Sequence, residues 1–125
     1  MQTKVLMAIQ IIAGVMLLVF GFNKFFHFID MAMPAAGMGA FMSAIIATGY
    51  LFKVVALVEI AAGLAFILNR YVALMAVVLM PVMVNAFLAH AFLDPSGIGG
   101  ALLLTLLTIV IMIGHKDRYR AILES

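Results

Sequence analysis

From Val5 to Gly114 the chain is a succession of apolar runs broken only by short polar punctuation. A bilayer crossing takes about 20 apolar residues in a helix, and four such runs fit. They cover about 5–22, 51–68, 71–93 and 98–114, and between them they use most of the 125 residues. Composition agrees: 68% of the residues are hydrophobic and 10% charged, with a mean hydropathy of +1.32, whereas soluble domains carry roughly a quarter charged. The expected fold is all-α, a polytopic membrane four-helix bundle forming a single integral membrane domain over 1–125.

Several function classes fall away at once. The seven Lys and Arg residues are scattered singly at helix ends, unlike the massed basic face of a nucleic-acid binder. No cysteine is present, which excludes thiolate catalysis, disulfide exchange and iron–sulfur ligation by this chain. The first run, preceded by Lys4, has the look of a signal peptide. No small-x-small cleavage site follows it, however, and the chain continues Asn23-Lys24-Phe25, so it reads as a retained span. Gly14 and Gly21 lie a heptad apart on one face, where a neighbouring helix can approach closely.

Asp30 and Pro34 end the first helical pattern, and an apolar, Met-rich stretch follows over about 35–48. Only Gly49-Tyr50 separates it from the next run, too short a connection for two long helices to reverse. It is expected to be an additional interfacial or re-entrant helix between spans 1 and 2. Pro81 should bend the third span, and 115–125 reads as a cytoplasmic basic tail. With four spans, Lys4, Arg70, Lys116, Arg118 and Arg120 share one side, against Lys24 and Lys53 on the other. That imbalance is expected to place both termini in the cytoplasm. Tyr50, Tyr71 and Tyr119 fall at the span boundaries, where amphipathic rings prefer to sit.

Polar side chains inside the runs are the candidates for function. Glu59 lies eight residues from Leu51, and Asn85 lies eight from Leu93, about 12 Å from the same surface in each case. Antiparallel neighbours would let them meet. Asn23, Lys24, His27, Lys53, His90 and Asp94 sit nearer that surface, so the expectation is a polar pocket opening outward, with the other half of the bundle nearly devoid of polar groups. Hydrocarbon is a poor solvent for a carboxylate, so Glu59 is the candidate proton-handling group, oriented by Asn85. The structural alternative makes the two an interhelical tie, His90 a residue bonded to Asp94, and Lys24, His27 and Lys53 interfacial anchors. His27 and His90 could bracket a haem, and the eleven Met residues invite a copper site. Neither is supported by further ligands, and Met along apolar helices is ordinarily packing material.

Taken in order, Phe20-Gly21-Phe22-Asn23-Lys24-Phe25, Gly49-Tyr50-Leu51, Val58-Glu59-Ile60 with Gly63-Leu64, Asn69-Arg70, Pro81-Val82-Met83-Val84-Asn85 and His90-Ala91-Phe92-Leu93-Asp94-Pro95-Ser96-Gly97 make a pattern. With the tail Lys116-Asp117-Arg118-Tyr119-Arg120, it resembles the DoxX family of small four-span membrane proteins over essentially the whole chain. Asn23, Lys24, Glu59, Asn85, His90 and Asp94 match family motifs. The resemblance implies the fold and leaves the function open. The family is named for a subunit associated with a terminal oxidase and thiosulfate–quinone oxidation. Other members are linked to thiol or oxidative stress and to complexes with redox partners, and some relatives look like assembly factors, with no chemistry assigned to a residue. Together with the cation imbalance, the resemblance leads to the expectation of a plasma (inner) membrane.

Three functions follow as expectations. The first is a redox-linked subunit holding a quinone or other small lipophile in the outer pocket, with Glu59 exchanging the proton and His90 or Lys53 binding a carbonyl oxygen. The second is a non-catalytic assembly or scaffold subunit that docks other membrane helices through small-residue faces such as Gly14/Gly21 and Ala61–Ala65. The third is a proton-coupled carrier built by oligomerisation. The expected surroundings are the lipid bilayer, a membrane or redox protein partner, or further copies of the chain, with no nucleic acid.

Overall fold

The computed structural model describes residues 3–27 and 36–124; Asp30, Pro34 and Ala35 lie outside them. Five substantial helices follow in order: α1 (Thr3–Phe26), α2 (Ala36–Ala47), α3 (Leu51–Leu68), α4 (Val72–Leu93) and α5 (Ile98–Gly114). Helices α1, α3 and α4, and α5 together with the 3-10 turn before it (Pro95–Gly114), are long and apolar enough to cross a membrane. The expected boundaries hold for α3 and α5. Helix α1 is longer than expected, starting two residues earlier and running on to Phe26, because no Gly or Pro between Phe22 and Phe26 interrupts it.

Helix α2 has 12 residues, about 18 Å at 1.5 Å per residue. It is too short to span, and it is the additional helix expected between spans 1 and 2. It packs on α3 and α4, with Gly37 set against Leu93 at the end of α4. The turn from α2 into α3 is built by Thr48 and Gly49. The Leu51 N–H donates to Thr48 Oγ1 at 3.0 Å, which satisfies one of the donors left free at the start of the new helix, while Gly49 takes φ +82°, a conformation open to glycine.

The closest packing is between α1 and α3, which run antiparallel. A Cβ built on Gly14 would lie 2.8 Å from the Gly63 carbonyl oxygen, and one on Gly63 would lie 2.9 Å from that of Gly14. One built on Gly21 would stand 3.1 Å from the Ala56 oxygen. Glycine at all three places brings the two backbones into direct contact. The Gly14/Gly21 face is therefore used within the chain, with Ala62 and Gly63 buried against it, and it is not free to dock other proteins.

Helices α4 and α5 form the second hairpin, joined by a 3-10 turn at Pro95–Gly97. The Thr105 hydroxyl lies between the Ala101 and Met83 carbonyls, 2.7 and 3.4 Å away. The core that unites the hairpins is narrow: Ala13, Leu17, Ala62, Phe66, Ala76, Leu79, Met83, Leu104 and Ile111. Large apolar side chains such as Ile12, Leu57, Leu64, Leu74, Leu88 and Leu106 point outward instead, as expected of a bundle whose solvent is lipid. The α3–α4 turn lies with both termini at one end of the bundle, here the terminal end; α2 and the α4–α5 turn mark the distal end.

Gly14→Leu should force the α1 and α3 backbones apart, since the Gly63 carbonyl cannot yield; a loss of about 1–3 kcal/mol is expected in denaturant titration in micelles. Gly99, whose Cβ would meet nothing within 4 Å, should tolerate alanine with no loss.

Candidate functional site

Glu59 and Lys24 form an ion pair across the α1–α3 seam, with Lys24 Nζ 2.9 Å from Oε1 and 3.0 Å from Oε2. Along the seam Gly21 faces Ala56, which puts the Lys24 and Glu59 backbones roughly 9 Å apart along the axes. Helical side chains lean toward their own N-termini. In antiparallel helices, Lys24 therefore leans back toward the middle of the bundle and Glu59 leans out to meet it. The pair is well enclosed, with 6% of the Glu59 side chain exposed and 21% of the Lys24 side chain. Lys24 Nζ also lies 5.9 Å from the centre of the Phe52 ring, within cation–π range.

The expected meeting of Glu59 with Asn85 does not occur. Depth along a helix can be counted from a sequence, but the direction a side chain faces around the bundle depends on which helix is its neighbour. Glycine selects α1 as the close partner of α3, and Glu59 lies on that face. Asn85 lies on the opposite flank of α4, exposed, in a groove of about 550 Å³ walled by Val77, Met80, Pro81, Val84, Leu88 and Met112. Lys53 and His27 are exposed, and Asn23 is buried near the end of α1. The polar residues of this half are thus dispersed, and Glu59 lines neither this groove nor the second cavity, described below.

His90 and Asp94 do approach each other. A Cβ on Gly97 would meet His90 Nδ1 and Asp94 Oδ2 at 3.1 Å each, so only glycine closes this turn without displacing them. They make no direct bond. Asp94 Oδ1 accepts from the Ser96 hydroxyl at 2.6 Å, and His90 Nδ1 is buried without a hydrogen-bond partner. Among the described residues no three His, Asp or Glu side chains gather in a metal-sized group.

The terminal end holds a polar cluster that the sequence reading missed. Gln10, 1% exposed, donates from Nε2 to Asn69 Oδ1 at 3.0 Å and to the Phe66 carbonyl at 3.3 Å. Its Oε1 lies 2.8 Å from His115 Nε2, so the imidazole donates from that nitrogen. One amide thereby ties α1 to the end of α3 and the end of α5. Tyr119, in the tail, donates to the Ala73 carbonyl at 2.8 Å and closes the tail over the start of α4. The available signal was Gln10 itself, an amide inside the first apolar run, at the depth of the Asn69-Arg70 turn. The expectation that this half lacks polar groups is corrected accordingly.

A cavity of about 350 Å³ opens beside the cluster, lined by Asn69, Tyr71, the first turn of α4, His115 and Arg118. Asn69 and Tyr71 both take positive φ, +54° and +56°. The first ends α3 in the left-handed conformation that asparagine tolerates. No known protein family, curated protein or solved structure matches the chain.

Breaking the Lys24–Glu59 pair from one side should be costly and from both sides cheap. Lys24→Met alone leaves a buried carboxylate unpaired, an expected loss of about 3 kcal/mol, and adding Glu59→Leu should restore most of it, as read by a double-mutant cycle in micelles. His115 gives a second expectation. Burial, and then the nearby Arg118 charge, hold its pKa below the ordinary histidine value. The unfolded chain therefore takes up this proton more readily than the folded one, and stability is complete above the ordinary value and falls as pH drops through it. Thermal melts between pH 8 and pH 5 should show the decline, and His115→Gln should flatten it.

Proposed function

We propose that this chain is a non-catalytic subunit of a membrane assembly, a four-span protein of the DoxX type that associates laterally through the Asn85 face of α4. The observation that carries this reading is the position of Asn85: an amide about 12 Å inside the end of α4, exposed on a face otherwise made of hydrocarbon side chains. An amide facing lipid leaves its donors and acceptor unsatisfied, and another membrane helix is the usual remedy. Pro81, in the same groove, lacks the N–H that would bond the Val77 carbonyl, which adds a backbone acceptor to that face. A second copy of the chain is the simplest partner, because an amide complements itself across a two-fold axis.

Two polar clusters support a structural role. Glu59 and Lys24 satisfy each other, and Gln10 ties three helices together, so both clusters hold the bundle closed. The orientation belongs to the same proposal. Five cations at the terminal end outnumber Lys24 and Lys53 at the distal end, and Lys24 is neutralised by Glu59, which favours cytoplasmic termini in a plasma membrane.

A second reading rests on the concavity of the Asn85 groove. Apolar walls with one orienting amide are what a small lipophile such as a quinone requires. A redox-linked role would then use Asn85 as the ligand's hydrogen-bonding group, with electrons supplied by a partner.

The test exploits the absence of cysteine. A single cysteine in place of Leu88, on the Asn85 face, should cross-link this chain to a neighbour in native membranes. Asn85→Leu should reduce that cross-linking by about tenfold, the scale of an interhelical amide pair. Cross-linking that is absent, or unchanged in Asn85→Leu, contradicts the proposal.

A further inference from the structure

We propose that the cavity at the terminal end, between the α3–α4 turn and the C-terminal tail, is a binding site for a phosphate-type oxyanion. Its charged lining residue is Arg118, and no carboxylate lines it. The ion pairs among the described residues are Lys24–Glu59 and Arg120–Asp117, so the Arg118 guanidinium has no acidic partner among them. Asp117, its neighbour, is engaged by Arg120 and lies outside the cavity.

The other lining groups are donors as well. Asn69 accepts from Gln10 through its carbonyl oxygen, which leaves the –NH2 of the same amide available. The first turn of α4, Val72 to Leu74, lines the cavity, and no side chain caps it; its backbone N–H groups have no acceptors within the helix. His115 is fixed by Gln10 and forms a rigid wall. A guanidinium, an amide and free backbone N–H groups around one cavity, without an acid, match the three or more acceptor oxygens of a phosphate and the fork geometry that arginine offers it. The carboxylate ligands of a cation site are missing from this set, and an apolar guest would leave every donor unpaired.

The site stands at the end of the spans, where Tyr71 and Tyr119 mark the boundary. Two sources of the same chemistry reach that level: the phosphodiester of an anionic lipid headgroup and a phosphate group in solution.

The test uses the full chain in dodecyl maltoside micelles. Its melting temperature is measured with phosphatidylglycerol or phosphatidylcholine at equal mole fraction, and separately with inorganic phosphate against chloride at matched ionic strength. A rise of roughly 4 °C or more is expected with phosphatidylglycerol, with phosphate or with both. Arg118→Ala should abolish that rise, while Arg120→Ala, which removes an equal charge from the same tail outside the cavity, should retain it. Arg118 is exposed and makes no ion pair among the described residues, so its removal is expected to leave the fold intact. A response confined to phosphatidylglycerol makes the ligand a headgroup, and a response to phosphate makes it a soluble phosphate. No rise in either, or equal loss in the two variants, overturns the proposal.

Discussion

The backbone contact between α1 and α3 is what the rest of the bundle depends on. In lipid, apolar side chains gain little by leaving one hydrocarbon environment for another, so helices associate through close packing and polar bonds. Gly14, Gly21 and Gly63 supply the first by letting the two backbones touch. The second follows from it: only at that separation can a lysine leaning back from the end of α1 reach a glutamate leaning out from α3. The ion pair and the glycine seam are one device, since the seam excludes the solvent that would weaken the pair and the pair fixes the register of the seam.

The two ends of the bundle are held differently. Toward the distal end the tie is ionic, between Lys24 and Glu59. At the terminal end it is a neutral network centred on Gln10, which reaches Asn69, the Phe66 carbonyl and His115 and so joins three helices through one side chain. Once these groups are satisfied, the polar features left over are few. Asn85 faces outward from α4, and Arg118 stands in a cavity without an acid. These two point toward what surrounds the bundle, another helix in one case and a phosphate in the other, while His90 Nδ1 stays buried without a partner beside the α4–α5 turn.

Most of the architecture was legible in the sequence because the bilayer sets the length of a span, and four apolar runs of that length admit one arrangement of turns. The short α2 helix was legible for the same reason: Gly49-Tyr50 leaves no room for a reversal. The glycine face of α1 was also visible, although its partner was not. What the sequence could not give was azimuth. Glu59 and Asn85 share a depth, and counting residues made them partners, but the choice between α1 and α4 as the close neighbour of α3 rests on where Gly63 meets Gly14. Gln10 was legible in principle as an amide in an apolar run, but its partners Asn69, the Phe66 carbonyl and His115 come from two other helix ends that the sequence does not bring together. Its three bonds exist only once α1, α3 and α5 end at one level.

The central claim is that the polar residues inside the spans hold the bundle together, while its exposed amide holds it to another polypeptide. Native mass spectrometry of the protein, extracted gently from its own membrane, tests that claim most directly. This account expects an assembly with a second polypeptide, either another copy or a different chain, and no retained quinone. A lone chain carrying a small lipophile would contradict it and would make the Asn85 groove a ligand site.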